Sequence, residues 1–508
     1  MNTITIYSFI PEFFLTMCAL THLIFNIFFI TSTSQNFRVV TIENLLQTLF
    51  VLSLTGLLVF NTEIEGFFYN FLFVANAGNS LVKLSSIIIS LLLLIPVYIN
   101  FKNQKLSFYE YFTLYLLVNL SLLLLISATD MLAVYLAIEL QALSFYIMAS
   151  FLRQSAFSSE AGLKYFILGS AFSGFFLFGC SIVYGIFGTL NFNYLAIILL
   201  DSLFLAGLQD LQPLVAFAFI LISSTFLFKL AVAPFHFWAP DVYDGIPLSS
   251  TIIFSVLPKL GTVYFLIKWI SIVAVFFKPI SLVLMYCGII SLFIGSIFAL
   301  LQTRLKKLII YSSIAQIGYV IISFFQLSLN SIVSIYFFLF IYLITLILIW
   351  NTITLLFFSS EKFLRFTQKA TNQGLFISFL QSLSTQHFIW ALFISCIFFS
   401  IAGIPPFSGF LAKFLILQVL IESKAVICAS AVVLISLLTL FYYLRLIKIV
   451  FFEPILLKTK NNSALTILNS QSLITSTHLS AFLMFFLLFF FIEPNFLLIV
   501  CNLIALSI

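Results

Sequence analysis

From Tyr7 to Val500 the sequence is a succession of apolar runs separated by short polar punctuation. A helix needs about 20 apolar residues to cross a bilayer. Inside hydrocarbon every backbone N–H and C=O must find its partner within the protein, so such runs fold as helices. The pattern predicts about fourteen of them, in rough spans 7–31, 44–61, 81–101, 109–126, 128–152, 161–186, 213–234, 249–275, 280–301, 307–326, 331–358, 388–424 (broken), 426–452 and 477–500. With 63% hydrophobic and 7% charged residues, an ordinary soluble domain is excluded. The expected fold class is an all-α polytopic membrane protein.

The opening MNTITIYSFIPEFF is neither a basic amphipathic transit peptide nor a cleavable signal, and Phe13 to Ile30 reads as a retained helix. The six cysteines, Cys18, Cys180, Cys287, Cys396, Cys428 and Cys501, stand singly among apolar residues. None forms C-x-x-C, so no iron–sulfur, zinc or disulfide framework is expected. No glycine-rich phosphate loop occurs either. The chain is therefore expected to carry no flavin, nicotinamide or metal of its own. Its 67 Phe point to a biased, AT-rich coding genome and so toward an organelle.

Basic residues set the expected orientation. With alternating helices, one set of loops holds Arg38, Lys102, Lys105, Arg153, Lys164, Arg304, Lys306, Lys307, Lys362, Arg365, Lys369, Arg445, Lys448, Lys458 and Lys460. The other holds Lys83, Lys278 and Lys424. By the positive-inside rule the first set faces the cytoplasm or the mitochondrial matrix. An even number of helices then puts both termini on the opposite side. The net charge of +6 is a topology signal, spread over many loops, and not a nucleic-acid footprint.

Lys229, Lys259, Lys268 and Lys413 fall inside helices. A lysine at the centre of an apolar helix costs roughly 2.5–3.5 kcal/mol on insertion scales. Two of these lysines stand beside prolines that interrupt their helix: Lys229 before Pro234 in TFLFKLAVAPFHFWAPDVYDG, and Lys413 after Pro405 and Pro406 in AGIPPFSGFLAKF. A proline removes a helix hydrogen bond and frees carbonyls for other partners. The two broken helices are the seventh and the twelfth. An offset of five, an odd number, implies two units of inverted topology, helices 4–8 and 9–13, with a site near the bilayer midplane. The expected division is residues 1–105 as a three-helix addition, 106–277 as the first repeat, 278–455 as the second, and 456–508 as a loop and the last helix.

Glu139, in YLAIELQALSFY of the fifth helix, is the natural partner of a buried lysine, most simply Lys229. Such a pair switches, because protonating one member changes the charge balance of the other. Lys259, after Pro258 in the eighth helix, is a candidate proton site, since burial disfavours the charged form of lysine. Lys268 is nine residues on, about 900° of helix turn, and so on the opposite face, where it reads as a side chain snorkelling toward the helix end. His236 follows the first break and is a candidate proton ferry toward Lys229, or else a structural loop histidine. Asp241 and Asp244 either cap the next helix, which is the default, or line an entrance.

Four stretches, GLKYFILGSAFSG, FKLAVAPFHFWAPDVYDG, LKKLIIYSSIAQIGY and AGIPPFSGFLAKF, resemble the proton-conducting antiporter-like membrane subunits of respiratory complex I. Within that family the likeness is to the chain 2 type of NADH–ubiquinone oxidoreductase, and YLAIELQALSFY is like its mitochondrial and alpha-proteobacterial form. It runs from about Leu125 to Lys448. The resemblance implies a membrane-arm subunit without a redox centre, driven by quinone reduction elsewhere, with flavin, iron–sulfur clusters and ubiquinone in partner subunits. It implies other complex I subunits as partners, neighbouring antiporter-like subunits above all, a lipid bilayer around them, and no nucleic acid. It places the proton-translocating residues at Glu139, Lys229, Lys259 and Lys413, along a midplane axis, and implies the mitochondrial inner membrane, with both termini toward the intermembrane space. Two departures stand out. Gln316 occupies a place where the mitochondrial pattern usually has histidine, so a relay there needs water. GIPLSS follows Asp244 where the family usually shows an acidic residue and then G-S-P-T-P. Three other readings remain: a multi-subunit cation/proton antiporter subunit, a plastid-type homologue, and a non-pumping scaffold.

Overall fold

The computed structural model of the chain describes residues 9–32, 37–61, 66–69, 71–104, 109–200, 211–276, 279–359, 377–381, 383–386, 388–453 and 471–507. The apolar runs form α1 (Ile10–Ser32), α2 (Phe37–Phe60), α3 (Ala77–Gln104), α4 (Tyr109–Ser127), α5 (Met131–Ala149), α6 (Ala156–Phe187) and α7 (Gln212–Lys229). After these come α8 (Leu248–Phe276), α9 (Pro279–Leu301), α10 (Leu305–Ile322), α11 (Leu329–Ser359) and α12, in two halves (Phe388–Ala402 and Ser408–Glu422). The chain ends with α13 (Val426–Phe452), α14 (Gln471–Ile492) and α15 (Asn495–Leu506). Thirteen of the described helices are long and apolar enough to cross a membrane. The halves of α12 together supply a fourteenth crossing, so the chain is a multi-pass membrane protein with breaks at the seventh and twelfth helices. Two strands, β1 (Gly66–Phe68) and β2 (Phe73–Ala75), form a small antiparallel hairpin before α3.

Several expectations need correcting. The second helix starts at Phe37, well before residue 44. The last expected span, 477–500, is two helices, because α14 ends at Ile492 and Pro494, which has no N–H to donate, separates it from α15. Lys83 is not a loop residue but lies in the second turn of α3. Lys105, Lys278, Lys362, Arg365, Lys369, Lys458 and Lys460 lie outside the described residues.

The chain forms two compact units, one of Met1–Ala231, Ile246–Val283 and Asn502–Ile508, the other of Val232–Gly245 and Leu284–Cys501. In the first, α8 is the central helix and packs on α3, α4 and α7. Nearly all of its apolar span is buried, whereas most of α6 is exposed at the rim. Pro258 lies inside α8, and the Thr262 hydroxyl donates to the Pro258 carbonyl (2.8 Å). The Tyr115 hydroxyl donates to the Ser90 carbonyl (2.6 Å) and ties α4 to α3. In the second unit α10 and α11 form the core, with both halves of α12 and α14 packed against α11 and only 33% of the α13 span buried. The short helix Trp238–Gly245 belongs to this second unit and packs on α10.

Candidate functional site

Glu139 sits at the middle of α5 and Lys229 is the last residue of α7. The Glu139 charge acts on Lys229 and on the Tyr135 and Tyr146 hydroxyls. The two groups stop short of an ion pair, and Glu139 Oε1 is buried without a hydrogen-bond partner. Beside them lies a small cavity lined by Tyr135, Ile138, Phe172, Ser173, Phe176, Thr225 and Lys229. The Lys229 ammonium is 5.9 Å from the centre of the Tyr165 ring, which meets Tyr146 edge to face at 5.0 Å. An unpaired carboxylate oxygen, an ammonium and a void with hydroxyl-bearing walls give a proton somewhere to go, by way of water when the void is filled.

The α7 helix closes at this point in a particular way. The Leu230 amide donates to the Phe226 carbonyl and the Ala231 amide to the Phe228 carbonyl, with Ala231 left-handed at φ 56°. Alanine in that conformation is strained by roughly 1–2 kcal/mol. Lys229 therefore stands at a helix C-terminus, whose partial negative charge favours a cation.

The break in α12 is closed by glycine. Gly403 has φ 84°. Its amide donates to the Ser400 carbonyl and the Ile404 amide to the Phe399 carbonyl, both at 3.1 Å, which is the Schellman pattern. That pattern satisfies two of the last four carbonyls of the first half. The side chains of the two candidate residues take the other two: Lys413 Nζ donates to the Ala402 carbonyl (2.9 Å), and Gln316 Nε2 reaches the Ile401 carbonyl (3.5 Å). Lys413 is 8% exposed and its Nζ lies 5.2 Å from the centre of the Tyr319 ring. Gly409 lets the second half approach, since a Cβ there would run into the Ser400 carbonyl. The break thus turns backbone carbonyls into a cation seat.

Lys259 is buried in α8, one residue after Pro258. Proline has no N–H, so the Phe254 carbonyl one turn earlier loses its helical partner. Lys268 corrects the expectation of a snorkelling side chain. Its Nζ donates to the Ile126 carbonyl (3.1 Å) and Asn79 Oδ1 (3.4 Å) and sits 4.5 Å from the centre of the Tyr264 ring, so it points into the unit.

Asp241 and Asp244 do not cap α8; they lie within the short helix Trp238–Gly245 and face the start of α10. Arg304 contacts Asp244 at 2.5 Å, and Lys307 lies 3.3 Å from Asp241 and 4.0 Å from Asp244. This is a latch of two carboxylates and two cations within the second unit. His236 is 4% exposed, and its Nδ1 is buried without a hydrogen-bond partner. It belongs to the second unit and Lys229 to the first.

Sequence reasoning missed one buried charge pair altogether. Glu12 of α1 and Lys83 of α3 form an ion pair, with both side chains almost fully buried. The available signal was that Glu12 is the only charged residue between Met1 and Phe37 and that Lys83 precedes a long apolar run. Among the described residues no three His, Cys, Asp or Glu side chains converge as metal ligands.

The family described as "NADH:quinone oxidoreductase/Mrp antiporter, TM" matches residues 128–439. NADH-ubiquinone oxidoreductase chain 2 of Marchantia polymorpha is 35% identical over 414 residues, 80% of this chain and 79% of that one. NADH-quinone oxidoreductase subunit N of Pelagibacter ubique is 34% identical over 418 residues, 81% of this chain and 84% of that one. Among solved structures, a chain of respiratory complex I from Thermus thermophilus has a TM-score of 0.72 at 22% identity, covering 96% of this chain and 98% of that one. A chain of the Mrp complex from Dietzia has a TM-score of 0.78 at 19% identity, covering 99% and 97%. At those identities the likeness is one of fold.

Proposed function

Because this chain belongs to the NADH:quinone oxidoreductase/Mrp antiporter family of membrane proteins, we propose that it is the antiporter-like, proton-translocating subunit of an NADH:ubiquinone oxidoreductase. The observation that carries this reading is that ionisable side chains within the apolar spans stand where the helices are broken or lack a backbone donor: half-buried Lys229 at the end of α7, and buried Lys413 on the carbonyls of the α12 break and Lys259 beside Pro258. Relatives of the chain 2 and subunit N type, 32–38% identical over most of the chain, support the complex to which it is assigned.

In this reading quinone reduction takes place in other subunits, which hold the flavin, the iron–sulfur clusters and the ubiquinone. The chain itself moves protons. A proton enters from the basic-loop side near α7 and α8 and rests on Lys259. It passes toward Lys413 and leaves on the far side when the Glu139–Lys229 pair resets. That pair is suited to the task because it is close enough to interact yet not locked in contact, so a proton on either group alters the other. Lys413 faces the neighbouring antiporter-like subunit. The complex lies in the mitochondrial inner membrane, with both termini of the chain toward the intermembrane space.

The test is proton pumping by the purified complex in vesicles, with NADH oxidation by quinone followed alongside, for wild type and Lys259→Ala. A coupled relay requires pumping and oxidation to fall together, by about 100-fold or more if a positioned proton carrier is lost. Unchanged rates in both would leave the chain a scaffold.

A further inference from the structure

The first unit contains a second group of buried ionisable residues that the relay above does not use. Glu12 is 0% exposed and paired with Lys83, and its Oε2 is buried without a hydrogen-bond partner. One turn before Lys83 on α3, Asn79 Oδ1 accepts hydrogen bonds from the Tyr264 hydroxyl and Lys268 Nζ. Residues four apart on a helix are neighbours, and the charges of Lys83 and Lys268 repel one another. The titratable groups facing one another are thus Glu12 from α1, Lys83 from α3, and Tyr264 and Lys268 from α8, with the Ile126 carbonyl from α4.

The cluster lies on one side of the unit. Glu12 is the third residue of α1, Lys83 the seventh of α3 and Ile126 the last but one of α4. Starts of odd helices and ends of even helices share a side in an alternating bundle, here the side of the chain's N-terminus. Lys268 is nine residues beyond Lys259 toward that side, about 13 Å along the helix.

We propose that Glu12, Lys83 and Lys268 form a second proton-release arm, beside the exit beyond Lys413, that carries protons from Lys259 to the N-terminal side of the membrane within the first unit. This rests on the reading of the chain as a proton translocator. Lys83 gives its proton to Glu12, leaving an amine and a carboxylic acid. Glu12 releases that proton to water on the N-terminal side. Lys83 then takes a proton from Lys268 through an intervening water, and Lys268, now neutral, is reloaded from Lys259, about 13 Å back along α8 and on its opposite face, through a chain of waters. One proton leaves per cycle and the Glu12–Lys83 ion pair is restored. While both lysines are charged, their repulsion favours the first step, the loss of the Lys83 proton to Glu12, and the unpaired Oε2 gives the carboxyl a second site for that proton.

The alternative is a structural staple that pins α1 to α3. Replacing both members of a buried ion pair by neutral groups of similar size leaves no unpaired charge behind, so the double variant Glu12→Gln/Lys83→Met separates the two roles. Pumping and NADH oxidation are measured in vesicles per amount of assembled complex, as judged by native gel, for the double variant, Lys268→Met, Glu12→Asp and Lys259→Ala. A release arm requires the double variant and Lys268→Met each to pump fewer protons per NADH oxidised than wild type, with partial rescue in Glu12→Asp. If the double variant pumps as many protons per NADH oxidised as wild type, whatever its yield, the arm is overturned. A wild-type rate in Lys259→Ala instead removes the underlying proton-translocating reading.

Discussion

Gly403→Ala is the substitution for which the break in α12 makes the sharpest prediction. At φ 84° the new residue occupies the left-handed region, which disfavours a side chain by roughly 1–2 kcal/mol. Its Cβ would also stand 2.9 Å from Lys413 Cδ and 3.3 Å from Lys413 Nζ. The lysine is flexible and gives way, but in moving it leaves the Ala402 carbonyl. A hydrogen bond from a charged donor is worth about 1.5–3 kcal/mol, so the seat of the cation is weakened by a comparable amount. The fold need not suffer as much, because the Schellman hydrogen bonds use backbone groups that alanine retains.

The expected outcome is a complex that assembles in near-normal amount yet pumps protons more slowly, by about 10-fold for each 1.4 kcal/mol lost at the seat. Native gels measure the first and a pH-sensitive dye in vesicles the second. Gly403→Asn separates the causes. Asparagine tolerates the left-handed conformation but still carries a Cβ. If backbone strain is the trouble, asparagine restores pumping; if crowding of Lys413 is, it does not. A Gly403→Ala complex that pumps at the wild-type rate would refute the claim that the carbonyls of the break hold Lys413 in its working place.

Two further outcomes follow from the same geometry. Asp244→Asn removes the contact with Arg304, an exposed partner, so its cost is roughly 1 kcal/mol; amide exchange in Trp238–Gly245 should quicken about fivefold, read by hydrogen–deuterium exchange, and high salt should do the same to wild type. Gln316→His keeps a ring N–H within reach of the Ile401 carbonyl and adds a group that titrates between about pH 5 and 8. The pH profile of pumping should change in that window and coincide with wild type well above it.

How much of this was legible in the sequence depended on whether the signal was local. Helix number and the sites of the two breaks were, because each apolar run and each proline acts on its own stretch of backbone. So were Glu139, Lys229, Lys259 and Lys413 as candidates, since a charge inside an apolar run marks itself. What each charge meets was not legible, because partners come from distant parts of the chain. Asp244 reads as a helix cap until Arg304, 60 residues on, is seen beside it. Lys268 reads as a snorkelling side chain until Asn79 and Ile126 are seen to receive it. Glu12 and Lys83 show the limit most plainly. Each looks like a helix-end charge, and only their meeting across 71 residues turns them into a buried pair. A carbonyl freed by a helix break must likewise find a donor, and sequence shows that the need exists without showing who meets it. In α12 the two donors are Lys413, 11 residues after Ala402, and Gln316, 85 residues before Ile401. The same need that makes a broken helix costly in lipid therefore places the charged side chain, so the break and the lysine are one device.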